Sequence, residues 1–271
     1  MVRGGIETVL LGDDLAVSDD ISVRQVAFDA PWAWLALGWR DLWAAPGVSL
    51  VYGGAFALAA ALLTWGVTQA GAQSLILALA GGFLLVAPLA AVGLYEASRR
   101  MSAGEPVTLG AVVNGGLHPR GQLAFFGIAL LLIFMVWMQI AFLLFMLFAG
   151  TSGIPPANEF MHTLLFTRHG TGLMIVGTLV GAALAALTFA VSAVSVPLLL
   201  VKDVDIVTAI TTSIKTVIVN PKAMFLWAAL IAGFMAVGIA TLFVGLVVVF
   251  PLVGHATWHA FKALVDVRDA G

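Results

Sequence analysis

The chain has 271 residues, of which 62% are hydrophobic and only 10% charged, and its mean hydropathy is +1.09. Soluble domains carry roughly 25% charged residues, so this composition excludes a soluble globular protein and points to an integral membrane protein. A formal charge of −2 offers no basic face for nucleic acid, and the lack of cysteine removes disulfides, thiolate metal sites and thiol chemistry.

Residues 1–25 hold no uninterrupted apolar core. Glu7, Asp13, Asp14, Asp19 and Asp20 break the segment up, so it reads as a weakly ordered acidic tail rather than a cleaved signal. Residues 26–47 contain "PWAWLALGWRDLWAAPG", with four of the eight tryptophans. Wound at 100° per residue, Trp32, Leu35, Ala36, Trp39, Leu42 and Trp43 share an arc of about 120°, while Trp34 and Asp41 face away. This predicts an in-plane interfacial helix, with Trp32, Trp39 and Trp43 as anchors at the headgroup level.

The long apolar runs 48–70, 73–95, 122–149 and 172–200 predict four membrane spans at about 20 residues per crossing. The uncharged stretch from Ala223 to about Phe261 is too long for one crossing. Split near Ala240, it yields spans 223–240 and 241–261, six in all, within a single membrane domain 48–264 followed by a tail 265–271. The expected fold is therefore all-α, a polytopic membrane helix bundle. Two connections predict amphipathic surface helices, 106–118 and 204–219. In the second, Ile206, Val207, Ile210, Ile214, Val217 and Ile218 share one arc, and Asn220-Pro221 ends the pattern. Pro88, Pro197 and Pro251 predict helix kinks. The unit of span, surface helix and span occurs twice in the same orientation, a parallel internal repeat of the kind found in transporters. The remaining connection, 150–170, predicts a short helix from Asn158 to Thr167.

Lysine and arginine test this count, because cytoplasmic loops collect them. Under six spans, eleven of the twelve fall on one side and only Arg168 on the other. That asymmetry puts both termini in the cytoplasm.

The spans are poor in chemistry. The first five carry no ionisable residue in their middles, which argues against ion coupling. Gln139, Thr188, Ser192 and Ser195 are the polar residues there, expected to make interhelical hydrogen bonds, and the Gly177/Gly181 step is expected at a close helix contact. The segment "PLVGHATWHAF" places His255 and His259 four apart on one helix face, where they could ligate a metal or a haem iron. The alternative favoured here puts the pair at the membrane edge, hydrogen-bonded to backbone or headgroups, with Trp258 as a further interfacial anchor. No nucleophile elbow, phosphate loop or paired carboxylates occur, so no catalytic residues, no metal site and no cofactor are assigned, and an enzyme is not expected.

Four stretches, "PWAWLALGWRDLWAAPGVSLVYG", "APLAAVGLYEASRRMSAGEP", "DVDIVTAITTSIKTVIVNPKAMFLWAALI" and "PLVGHATWHAF", together resemble the DUF2189 family of predicted bacterial integral membrane proteins, over about Val26 to Leu264. The resemblance implies an inner-membrane protein without an assigned role. Some members carry a cytochrome c oxidase subunit label, but this chain lacks the intramembrane histidines that two haems and copper require. The first expectation is a non-catalytic accessory, assembly or lipid-interacting component, with membrane lipid and other inner-membrane or respiratory-complex proteins as partners. The alternatives are a carrier for an uncharged or lipidic substrate and a haem- or quinone-associated respiratory subunit using His255 and His259.

Overall fold

A computed structural model of the protein describes residues 15–18, 21–117, 121–149 and 157–267. Helix α1 (Ala30–Ala44) stops at Ala45, whose backbone is pushed out of the helical region because Pro46 follows and opens α2 (Pro46–Gln69). A tight turn with Gly71 at φ +70° leads into α3 (Leu75–Ala90) and, after Ala91, α4 (Val92–Ser102). Then follow α5 (Leu109–Leu117), α6 (Gly121–Ala149), α7 (Ala157–Phe166), α8 (Arg168–Ser192), α9 (Ser195–Val201), α10 (Ile206–Val219), α11 (Pro221–Ala240) and α12 (Leu246–Leu264). The break between α8 and α9 falls at Ala193 and Val194, where the Pro197 ring would meet the carbonyl four residues back. Pro88 lies inside α3 and Pro251 inside α12.

Among the described residues five stretches are long and apolar enough to cross a membrane: Pro46–Gln69, Leu75–Ser102, Gly121–Phe148, Arg168–Val201 and Pro221–Ala240. The protein is thus an all-α membrane helix bundle. The segment expected as a sixth span, 241–261, contributes a turn and most of α12, whose second half is interrupted by His255, Thr257, His259 and Lys262. Helix α12 is instead the central packing element, laid against α1 and α2 and buried along nearly its whole length.

The buried core is not in the middle of the spans. It is concentrated where α1, α4, α9 and α12 meet, around Trp34, Leu94, Val194, Leu198, Ala256 and Phe261. The longer parts of α2, α6 and α8 turn Leu62, Trp65, Phe142, Leu143 and Leu179 outward. This is the expected surface for helices solvated by lipid. Close approach is made by glycine. A Cβ at Gly38 would come within 2.6 Å of the Ala256 nitrogen, and one at Gly53 would overlap the Val247 carbonyl, the oxygen left without a helical N–H by Pro251.

Three expectations are corrected. The acidic tail and the C-terminal tail do not both stay apart from the fold: strands β1 (Leu15–Ser18), β2 (Ile21–Val23) and β3 (Val265–Val267) form an antiparallel sheet in the order β1-β2-β3, with Ile21 and Val23 buried. Arg24 extends this pairing through a backbone bond to Leu264 and an ion pair with Asp266. The expected disorder at Glu7, Asp13, Asp14, Asp19 and Asp20 lies outside the described residues. Second, α1 does not rest on its aromatic arc. Leu35 and Leu42 of that arc turn inward together with Trp34 and Asp41, while Trp32, Trp39 and Trp43 stay exposed, because α1 packs on α12 rather than lying alone at an interface. Third, α10 docks through its small polar face. Ala209, Thr212, Ser213 and Thr216 are buried while Val207 and Ile218 of the apolar arc point outward. Short side chains let α10 sit close to α8 and α9, and the hydroxyls supply the bonds: Val194 N–H donates to Ser213 Oγ at 3.3 Å, and Ser195 Oγ donates to the Ala209 carbonyl at 2.9 Å.

Candidate functional site

The chemistry-bearing side chains converge at the edge of this core, on the side that carries the sheet. Asp41 comes from the last turn of α1, Ser49 from the first turn of α2, Ser98 from α4, and His255 and His259 from α12. The two histidines do share a helix face, as their spacing requires, yet they take different partners. His259 Nε2 donates to Asp41 Oδ2 at 2.7 Å, and the same oxygen accepts from Ser98 Oγ at 2.8 Å.

Proton accounting fixes the rest. Ser98 has one hydroxyl proton and gives it to the carboxylate, so toward His255 Nδ1, 2.8 Å away, its oxygen can only accept. His255 is therefore protonated on Nδ1, and in its neutral form Nε2 accepts from Ser49 Oγ at 2.9 Å. A polarised chain results, running from Ser49 through His255 and Ser98 to Asp41, with His259 closing on the same carboxylate. Ser49, Ser98 and His255 are 0% exposed. Burial alone would raise the Asp41 carboxyl, but the hydrogen bonds from His259 and Ser98 hold it below the ordinary aspartate value.

A second polar cluster adjoins the first. Glu96, buried, accepts from Arg99 Nε at 2.7 Å and Arg100 Nε at 2.7 Å, and Glu105 closes on Arg99 at 3.0 Å. Two cations at the end of α4 also face the negative pole of that helix. Gly115 leaves the room that Glu96 occupies, since a Cβ there would come within 2.7 Å of its Oε1.

The remaining sequence-predicted residues fall elsewhere. Trp258 is not at the periphery: it is 3% exposed, packed on Phe261, with its indole N–H 3.4 Å from Ser102 Oγ. Its neighbours on α12 bind α1 and α4, which turns position 258 inward. Ser195 makes the interhelical bond expected of it, Ser192 and Thr188 are buried, and Gln139 faces outward on α6. Sequence reasoning missed Asp41, Ser49 and Ser98. Asp41 carried the one available signal, an acidic residue among tryptophans and opposite the aromatic arc, and serines give none.

A separate feature lies in the other half of the bundle. Helices α3, α6 and α8 line a half-open pocket of about 510 Å³, walled by Leu77, Trp137, Phe145, Leu173 and Gly177, with Ala232 of α11 also on its wall. Trp137 spends its indole N–H on the Ala78 carbonyl at 2.7 Å, so it presents an apolar wall.

Those walls, apart from Ala232, lie with α4 and α9 of the core in one stretch of chain. Residues 75–201 match the family model DUF2189, described as predicted integral membrane proteins. Over these residues the chain is similar to DUF2189. The stretch covered by the DUF2189 match contains the whole of α3 to α9, including Ser98, and leaves the tryptophan-rich α1 and the histidines of α12 outside it. No curated protein and no solved structure was found to match the chain.

Proposed function

We propose that the protein is a non-catalytic, lipid-interacting component of a bacterial inner membrane, and that the pocket between α3, α6 and α8 takes a lipid acyl chain. The pocket is the observation that carries this reading: it lies among spans, its size is that of ligand sites in general, and its walls offer shape and dispersion rather than hydrogen bonds. The polar network supports the non-catalytic half of the proposal. The hydroxyl that donates to an imidazole, Ser49, is buried, and both ring nitrogens of His255 are already engaged by serine, which favours a structural role over haem ligation.

Orientation follows the same reasoning. Pairing of β2 with β3 brings the two ends of the described chain to one face, and Arg24, Arg99, Arg100 and Lys262 lie toward that face, which supports cytoplasmic termini. The succession α3 to α6 and then α8 to α11, each a long apolar helix, a short buried one, a docked helix and a second long one, supports the parallel repeat.

The test uses a phospholipid with a diazirine in its acyl chain, photolysed in proteoliposomes. Gly177 lines the pocket and a Cβ there meets nothing within 4 Å, so Gly177→Leu fills the space without touching backbone. Peptides around Trp137 to Phe145 should lose at least tenfold of their label in the variant, while the outward face near Trp65 keeps its own. Equal labelling of both regions, unchanged by Gly177→Leu, would overturn the proposal.

A further inference from the structure

Helices α11 and α12 form an antiparallel pair joined by residues 241–245, and the packing of α12 fixes how far that turn reaches. Ser49 meets His255, Gly53 lies against Pro251, and Phe56 stacks on Phe250 with ring centroids 3.9 Å apart. This antiparallel register sets Leu246, the first residue of α12, level with about Leu58 of α2. Eleven further residues carry α2 from Leu58 to Gln69, about 16 Å at 1.5 Å per residue. The turn itself spans about one helical pitch, ~5 Å, so its tip stops on the order of 10 Å short of the end of α2.

Two other helices agree. Phe83 of α3 contacts Phe250 of α12, and two residues along α3 Gly81 faces the Trp137 indole, which also meets Gly181 of α8. From Trp137, α6 runs on to Ala149, and from Gly181, α8 runs back to Arg168, each about 18–20 Å beyond that level. Those projecting segments cannot stand in water, because Leu63, Trp65, Phe142, Leu143, Leu147 and Leu179 are exposed on them. Lipid must reach past the turn.

The turn is composed for that place. Leu242 is 82% and Val244 73% exposed, and Leu242 and Phe243 hold φ of 53° and 70°, a left-handed conformation that glycine or asparagine takes far more readily. In hydrocarbon every backbone group has to be satisfied from within. Here Thr241 Oγ1 accepts the Gly245 N–H at 2.9 Å and donates to the Gly238 carbonyl at 2.9 Å, while the Leu242, Val244 and Leu246 N–H groups bond to carbonyls within the turn or in the turn before it.

We propose that α11 and α12 do not cross the membrane but form a re-entrant hairpin, entering from the face that carries the termini and turning about 10 Å short of the far surface, where Leu242, Phe243 and Val244 face acyl chains. Four helical stretches then cross, containing α2, α3, α6 and α8, in place of six. The lysine and arginine asymmetry is unchanged, because a hairpin that returns and a pair that crosses twice leave the C-terminus on the same side. Part of the α3/α6/α8 pocket lies in the half of the bundle that the hairpin does not enter.

The absence of native cysteine makes the test direct. Ala70→Cys, Ala103→Cys, Leu242→Cys and Val244→Cys are made singly and labelled with a membrane-impermeant maleimide in right-side-out and inverted vesicles. Ala70→Cys should react from one side and Ala103→Cys from the other, with Leu242→Cys and Val244→Cys at least tenfold slower from both. Hydrogen exchange of the wild-type protein in lipid nanodiscs gives a readout free of substitution: amides 241–245 should exchange as slowly as those around Trp137. Labelling of Leu242→Cys from the Ala70 side within threefold of the Ala70→Cys rate, or exchange at 241–245 as fast as at 70–74, would overturn the proposal.

Discussion

Replacing Asp41 with alanine removes the acceptor on which the polar network ends. Two bonds to a charged oxygen disappear, from His259 at 2.7 Å and from Ser98 at 2.8 Å, each worth about 1.5–3 kcal/mol. Against that stands the relief of a carboxylate that is 5% exposed, a desolvation cost of several kcal/mol. Partners left behind decide the sign, since removing one member of a buried pair typically costs about 3–5 kcal/mol. The Ser98 hydroxyl loses its acceptor, and with it the reason for His255 to carry its proton on Nδ1. Asp41→Ala should therefore lower the unfolding free energy in detergent micelles by about 3–5 kcal/mol, and ¹⁵N spectra of labelled histidine should show His255 leaving a single tautomer. Asp41 also makes stability depend on pH. Its carboxyl is held below the ordinary value of 3.8, so its contribution is present in full above that value and is lost as the pH falls through the lower folded-state value; the wild type should lose stability there and Asp41→Ala should not. A loss below about 1 kcal/mol with an unchanged His255 spectrum would refute the reasoning, because no buried network behaves that way when it loses its only anion.

Other substitutions probe the packing around that network. Gly53→Ala places a methyl group on the Val247 carbonyl and near the Pro251 ring, and should cost about 1–3 kcal/mol or more, whereas Gly54→Ala next to it meets nothing within 4 Å and should gain about 0.5–1 kcal/mol; unfolding of the pair in one detergent makes the comparison. Asn220 accepts from the Val26 N–H at 2.8 Å and donates to the Arg24 carbonyl at 3.0 Å, so Asn220→Ala should cost about 1–3 kcal/mol and speed hydrogen exchange at residues 21–26 more than at α6.

Much of this architecture is legible in the sequence where composition alone decides. The runs that become α2, α3, α6 and α8 are long and apolar, and they had to be helices because lipid leaves no other way to satisfy their backbone. The arcs on α1 and α10 were also readable as helices. Which face turns inward was not. Helical periodicity separates apolar from polar faces, and in water the apolar face goes inside; beside a membrane that preference lapses, and close packing by small or polar side chains takes over. Hence Thr212, Ser213 and Thr216 are buried while Val207 and Ile218 look outward. The histidine pair was visible as a shared face, but its partners, Asp41, Ser49 and Ser98, lie more than 150 residues away in the chain, beyond any local pattern. The strands were hidden for a similar reason: Ile21 to Val23 is too short to declare itself without Val265 to Val267 beside it.

The two halves of the molecule are built on opposite terms. Near the termini, α1, α4, α9 and α12 meet in a dense core, its polar groups paired to one another, so the position of α12 is set by bonds to three different helices. Toward the other face, α3, α6 and α8 form most of the wall of a pocket whose described lining includes nothing from α12. An opening of that size in a water-soluble core would forfeit dispersion contacts that nothing restores. In a bilayer the surrounding medium is itself a supply of apolar chains, and a chain lodged between Trp137 and Gly177, as proposed, would make the contacts that a further helix would have made. Gly177, with no neighbour to meet its absent side chain, is the position where filling that space tests the proposed lipid.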